Sequence, residues 1–225
     1  MDVQNILKLT QLLEDALPQT QCTKCGYPDC HGYAVAMANS EAKHNRCPPG
    51  GEIGIKRLGE ILEAEYLPLD PECGIEKPRT TAVIDPKQCI GCTLCIKACP
   101  VDAIVGAAKQ LHVILEDRCT GCDLCIPPCP VDCIDMVEIT GTNTGWDAWS
   151  PALADRARTQ YHTRQKRLVR EKLDNDKRLA QKAADKLKML NAEVVNTDAE
   201  KAESDRKKAI IAAAIARAQA KLSGV

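Results

Sequence analysis

At 225 residues and 24.5 kDa, with fourteen cysteines, no phenylalanine, two tryptophans and four tyrosines, the chain has room for one or two small domains and an extension, but not for a large aromatic core. No apolar stretch reaches the roughly 18 residues a membrane span needs, and Met1 to Leu17 lacks the regions of a signal peptide; both point to a cytoplasmic chain, where clustered thiols are more often metal ligands than disulfide partners. The net charge of -1 hides a split at Ser150: residues 1–150 carry 12 Lys and Arg against 21 Asp and Glu, whereas residues 151–225 carry 18 against 10 and contain no cysteine.

An apolar stripe at Val3, Ile6, Leu7, Thr10, Leu13 and Leu17 predicts a first helix ended by Pro18. Four cysteines follow, Cys22, Cys25, Cys30 and Cys47. After Pro48-Pro49-Gly50-Gly51, apolar Ile55, Leu58, Ile61 and Leu62 predict a second helix of about three turns running to Tyr66. Pro68, Pro71 and Pro78 then punctuate a linker. From Thr81 to Ile139 the sequence repeats itself with an offset of 30 residues. Cys89, Cys92, Cys95 and Cys99 map onto Cys119, Cys122, Cys125 and Cys129, Gly91 onto Gly121, Pro100-Val101-Asp102 onto Pro130-Val131-Asp132, and Val83-Ile84 onto Val113-Ile114. Register of that length implies a duplicated unit with pseudo-two-fold symmetry. Gly141 to Gly145 forms a turn-rich boundary, after which Trp146 and Trp149 are expected to pack back on the preceding domain. Beyond Pro151 the composition of Ala, Lys, Arg, Glu and Leu reads as long solvated helix. Two helices are expected, Leu153 to about Val195 and Asp198 to about Leu222, with Thr197 and Glu200 as a capping box for the second.

The expected class is therefore α+β: a small helical cluster-binding domain (1–68), a linker (69–80), a duplicated domain (81–140), a second linker (141–152) and a basic helical tail (153–225).

Each half of the repeat reads C-x2-C-x2-C-x3-C-P, in which three closely spaced thiolates grip three irons of a [4Fe-4S] cubane and the fourth reaches across to the other cluster. The spacing assigns Cys89, Cys92, Cys95 and Cys129 to one cluster, and Cys119, Cys122, Cys125 and Cys99 to the other, the arrangement of a bacterial two-cluster ferredoxin. Glycines at 91 and 121 let the backbone wrap the cluster and aim N–H groups at its sulfurs. Two zinc sites would use the same residue type, but the duplicated spacing followed by proline is far more specific to cubanes. The first set, Cys22-x2-Cys25-x4-Cys30-x16-Cys47, suits iron–sulfur or zinc. Gly26 and Pro48-Pro49-Gly50-Gly51 allow backbone N–H groups to approach anionic sulfur there. Cys133 stands where the other half has Ala103 and reads as a small packing residue, and Cys73 in the linker reads as a free thiol. His31, His44, His112 and His162 have no partner at diagnostic spacing and are assigned no role. No nucleotide-binding glycine loop or nucleophile elbow is present, so no catalytic residue is assigned. The basic tail suits anionic lipid, nucleic acid or the acidic front of the chain. With Tyr161 its one aromatic, it reads foremost as a solvated helix that docks a partner protein, with no nucleic acid expected.

With these residues in hand, the chain resembles the B component of the bacterial Rnf (also called Rsx) electron transport complex over roughly Leu12 to Ile139. The resemblance rests on the run from Leu17 through Cys22, Cys25 and Gly26 to Cys30, on Asn45-Arg46-Cys47-Pro48-Pro49-Gly50-Gly51-Glu52, on Cys89-Ile90-Gly91-Cys92 continuing through Ala98-Cys99-Pro100 to Ala107, and on Cys119-Thr120-Gly121-Cys122-Asp123-Leu124-Cys125. It implies a further [4Fe-4S] cluster on Cys22, Cys25, Cys30 and Cys47, hence three clusters in all. It also implies a cytoplasmic electron conduit within a membrane complex that couples electron transfer between ferredoxin and NAD to ion movement. Members usually begin with a transmembrane helix, whereas this chain starts at the helix before the first cysteines and adds a basic tail. The expectation is a one-electron relay between a ferredoxin- or NAD-linked donor and a partner oxidoreductase, cytoplasmic or peripheral on the cytoplasmic face of the membrane. The competing reading is an interaction module in which metals only staple small domains and the tail recruits a partner.

Overall fold

The computed structural model describes residues 2–193 and 197–223, and it divides into two compact units, Met1–Arg164 and Gln165–Val225. In the first, α1 (Val3–Asp15) buries Leu13 and is followed by Leu17, also buried, with Pro18 closing the segment. α2 (Cys30–Ala38) has no counterpart among the expected elements. Its residues, Cys-His-Gly-Tyr-Ala-Val-Ala-Met-Ala, are apolar or small all round, so no polar face marks it in the sequence. Asp29 caps it by accepting from the Gly32 N–H at 2.6 Å. α3 (Gly51–Leu62) ends at Leu62, short of Tyr66, because Glu63 turns into the left-handed region at φ 51° and closes the last turn. Leu13, Leu17, Tyr33, Ala34, Met37 and Leu58 fill the core between these three helices.

The duplicated segment folds into two antiparallel ladders. β1 (Thr80–Ile84) pairs with β4 (Ile134–Glu138), and β2 (Ile104–Val105) pairs with β3 (Val113–Ile114). Each ladder takes one strand from each half of the repeat, so the halves interleave rather than stand side by side. That interleaving brings the fourth cysteine of one half toward the first three of the other. α4 (Leu94–Ala98) has no helical twin thirty residues on, because Pro127 and Pro128 stand where the helix would run. Six of the eleven buried residues in this core are cysteines, the others being Ala82, Val101, Ala103, Ile104 and Ile134. So thin an apolar core leaves part of the stability to whatever the thiols bind.

α5 (Gly145–Ala148) and α6 (Pro151–Ala192) follow. Trp146 and Trp149 pack on the first helical region rather than on the duplicated domain before them. Trp149 Nε1 donates to the Pro18 carbonyl at 2.8 Å, and the Trp146 ring lies under Arg57 beside Gly54, where an added Cβ would stand 3.3 Å from Trp146 Nε1. Arg79 bridges the two regions, stacking on Trp149 and donating to the Cys119 carbonyl. Trp149→Phe removes a buried hydrogen bond and should lower unfolding stability by about 1–2 kcal/mol in a denaturant titration.

The first turns of α6 pair their cations with acids of the front. Arg158 pairs with Asp15, Arg156 with Asp117, and Arg164 with Asp102 while also donating to the Lys97 carbonyl. Tyr161 donates to Asp29 at 2.8 Å. Of the partners open to the basic tail, the acidic front thus takes these turns. In the second unit, α7 (Asp198–Ser223) starts from the expected capping box: Thr197 N–H donates to Glu200 Oε2 and Glu200 N–H to Thr197 Oγ1. The expected end of the preceding helix near Val195 lies outside the described residues. Among the described residues no helix is long and apolar enough to cross a membrane.

Candidate metal centres

All fourteen cysteines are free thiols, twelve of which the sequence assigns to three sets. In the first, Cys22, Cys25, Cys30 and Cys47 converge from the loop before α2, the N-terminus of α2 and the turn before α3. Burial pushes the Cys47 thiol well up, and Cys22, Cys30 and Cys25 push it further, while the Gly50 N–H pulls it back. Burial likewise raises Cys25 and Cys30. The loop that carries Cys22 holds positive φ at Gln19, Gln21 and Thr23, conformations that cost about 1 kcal/mol or more each and persist only when surroundings enforce them. Here buried glutamines enforce them. Gln19 Nε2 donates to the Glu14 carbonyl at 2.6 Å, Gln21 Nε2 donates to Gln19 Oε1 at 3.0 Å, and Gln21 Oε1 accepts the Cys30 N–H at 2.9 Å.

In the duplicated domain, Cys99, Cys119, Cys122 and Cys125 line one cavity together with Ala82, Val101, Ile114 and Met136. Cys99 comes from the first half of the repeat and the other three from the second. Burial pushes Cys122 and Cys125 up to about 12, and the charge of neighbouring thiols in the same set adds to it. Cys95 feels Cys92 and Cys89, and Cys133, four residues after Cys129, feels both Cys129 and Cys89. Cys133 thus stands between Cys89 and Cys129, the first and last cysteines of the second set, Cys89, Cys92, Cys95 and Cys129. Backbone N–H groups reach the sulfurs, as at Cys99, which accepts from Ala103 at 3.2 Å. The two wrapping glycines sit at φ 68° and 65°, and a Cβ would meet Gln110 N at 2.4 Å from Gly91 or the Thr80 carbonyl oxygen at 2.5 Å from Gly121. Only glycine allows the thiol loops to close this tightly.

The set of Cys99, Cys119, Cys122 and Cys125 fits an iron–sulfur cluster, with four thiols around one cavity and the Ala103 N–H aimed at the Cys99 sulfur, and the other two sets offer the same four-thiol donor chemistry. A bound metal needs thiolates, and the raised thiols must release protons to supply them, so iron retained across a pH series should fall as pH falls.

Three contacts carry no signal in the local sequence. Cys133 Sγ lies 3.5 Å from Cys129 Sγ. Burial would raise Cys129 as well, but N–H groups of Cys133 and Val131 and the Cys133 thiol outweigh it and bring Cys129 below the ordinary thiol range. Buried His112 sets Nδ1 3.3 Å from Cys95 Sγ. Cys73, in a 3-10 turn at Pro71–Cys73, is buried against the first set, where burial raises it and Arg46 lowers it. Residues that flank the first set also touch residues that flank the third: Thr120 Oγ1 donates to the Thr20 carbonyl at 3.0 Å, and Lys24 pairs with Asp123 at 2.6 Å.

A family model for a 4Fe-4S dicluster domain matches residues 82–136, and an Fe-S cluster family model matches residues 17–49. Among similar proteins, the B component of the ion-translocating oxidoreductase complex of Azoarcus sp. is 57% identical over 138 residues, covering 61% of this chain and 75% of the relative. The protein of the same name from Stutzerimonas stutzeri is 56% identical over 146 residues (65% and 75%), and that from Hahella chejuensis 57% over 137 residues (61% and 68%).

Proposed function

Because the chain belongs to the family formed by the B component of ion-translocating oxidoreductase complexes, we propose that it transfers electrons through three [4Fe-4S] clusters, as a member of such a complex or as a relay between a ferredoxin- or NAD-linked donor and a partner oxidoreductase. Cys22, Cys25, Cys30 and Cys47 hold the first, Cys89, Cys92, Cys95 and Cys129 the second, and Cys99, Cys119, Cys122 and Cys125 the third. The observation that carries this reading is Cys99 lining one cavity with Cys119, Cys122 and Cys125 across the halves of the repeat, the donor exchange a two-cluster ferredoxin requires. Bound clusters supply reversible one-electron transfer at these positions. The chain's own work is to exclude water, direct N–H groups at sulfur and hold the three sets close.

The contact of Thr20 with Thr120 and of Lys24 with Asp123 supports an order that is not chain order: first set, third set, second set. The net negative charge of residues 1–150 suits partners with basic docking surfaces. The residues 1–68, 81–140 and 153–225 then divide the labour as first cluster domain, two-cluster domain and helical tail. The tail beyond Arg164 is the candidate for contact with partner proteins of a complex or an anionic membrane surface.

Anaerobic reconstitution should give a brown protein with about twelve irons per chain, bleached by dithionite and recoloured by oxidation. Stoichiometric zinc in a colourless chain, or colour that dithionite leaves untouched, would instead favour the stapled interaction module.

A further inference from the structure

The two halves of the repeat match in their cysteines but differ in what they set against them. In the β1–β4 ladder Ala82 stands opposite Met136, and both line the cavity of Cys99, Cys119, Cys122 and Cys125. The offset of 30 residues maps Ala82 onto His112 and Gly106 onto Met136. The β2–β3 register, Ile104 with Ile114 and Val105 with Val113, leads next to Gly106 and His112. They do face each other, for a Cβ on Gly106 would lie 2.4 Å from His112 Cδ2. The large and small members of the pair have exchanged strands, and in the exchange an apolar thioether has become an imidazole.

That imidazole is 2% exposed, and its Nδ1 stands 3.3 Å from Cys95 Sγ. A cysteine that ligates metal is a thiolate with no proton to give, so Nδ1 must carry the proton and donate it. A second substitution acts on the same set. Ala103 gives Cys99 a backbone N–H, whereas its counterpart Cys133 places a thiol 3.5 Å from Cys129 Sγ. With Cys129 a thiolate, a second buried thiolate at that distance would set like charge against like, so Cys133 keeps its proton and donates. Both extra donors therefore converge on Cys89, Cys92, Cys95 and Cys129. The other set faces Ala82, Ala103 and Met136, which donate nothing from their side chains, and Thr120 beside Cys122, whose single hydroxyl proton goes to the Thr20 carbonyl at 3.0 Å.

We propose that His112 and Cys133 are positioning residues that hold the cluster on Cys89, Cys92, Cys95 and Cys129 at a higher reduction potential than its twin on Cys99, Cys119, Cys122 and Cys125. This rests on the three-cluster reading. Reduction adds one negative charge that the sulfurs share, and a hydrogen bond to a sulfur stabilises the more negative state more strongly. Exposure acts in the same direction, because Cys89 and Cys92 are only half-buried while Cys119, Cys122 and Cys125 are buried. With the first set adjoining the third, the asymmetry gives the chain a polarity: an electron rests at the end of the two-cluster domain away from Thr20 and Thr120.

Potentiometric titration of the full-length holoprotein, followed by electron paramagnetic resonance, tests this with variants that install what the other half already carries. Cys133→Ala copies Ala103, and the double change His112→Ala with Gly106→Met copies Ala82 and Met136. Each should move the same single transition to lower potential, the triple variant further than either, at unchanged iron content. Ala103→Cys should raise a different transition. Full iron with three transitions that all stay in place would overturn the tuning alone, as would Ala103→Cys and Cys133→Ala acting on one transition. A wild-type chain without reducible iron would overturn the tuning together with the reading beneath it.

Discussion

Cys99→Ala is expected to strip the irons assigned to Cys119, Cys122 and Cys125 while its own neighbours Cys89, Cys92 and Cys95 keep theirs, leaving about eight irons of about twelve. The reason lies in the strand exchange: β1 and β2 belong to one half of the repeat, β4 and β3 to the other, and each ladder joins the two. Cys99 is consequently carried into the cavity of the later triplet. Two residues that serve one centre cannot lose it twice, so the double variant of Cys99→Ala with Cys122→Ala should hold as much iron as either single variant. Pairing Cys99→Ala with Cys92→Ala should instead leave about four irons. Equal iron in the two double variants would overturn the crossed assignment. The mirror experiment, Cys129→Ala, differs for a structural reason. Cys133 Sγ is 3.5 Å from the lost sulfur, whereas Cys99 has only the alanine at 103 in the matching place. Iron loss at Cys129 is thus expected to be complete only when Cys133 is removed as well.

Spacing alone made the metal-binding loops legible, because a cubane imposes distances between thiolates that a chain can meet in few ways. The glycines at 91 and 121 were legible for a related reason: the positive φ and the 2.4–2.5 Å Cβ approaches leave no other residue. The second helix was not, since Cys30 to Ala38 has no polar face and periodicity finds only faces. The roles of His112 and Cys133 stayed hidden because nothing in their local sequence reports a neighbour across a ladder. The signal was present all the same, in the exchanged pairs Ala82 with Met136 and His112 with Gly106, which become visible once the strand pairing is laid over the repeat. The tryptophans show the same limit. Trp149 and Pro18 are 131 residues apart, and only the fold brings them to 2.8 Å.

Truncation after Arg164 should leave a folded, iron-loaded protein, whereas truncation after Ser150 should lose about 3–5 kcal/mol of unfolding stability and with it part of the iron. The difference comes from residues 151–164, which the fold assigns to the front although the sequence places all of them from 153 on in the tail. Ala154 and Ala157 are each 2% exposed and pack with Trp149, so removing them uncovers the ring whose N–H holds the Pro18 carbonyl. Tyr161 donates to Asp29, and Asp29 also caps α2 through Gly32, so the helix that begins at Cys30 loses a support at its first turn. Arg158 and Arg164 are mostly covered and pair with Asp15 and Asp102. Their removal leaves those carboxylates without the cations that face them. Single exposed ion pairs contribute little, and most of the expected loss comes from the buried alanines, the tryptophan and the charged hydrogen bond at Asp29. Comparing the two truncations by denaturant unfolding and iron analysis decides the matter. Equal stability and equal iron would mean that α6 contributes nothing to the front before residue 165, and that the packing around Trp149 and Asp29 is ornamental to the metal centres it adjoins.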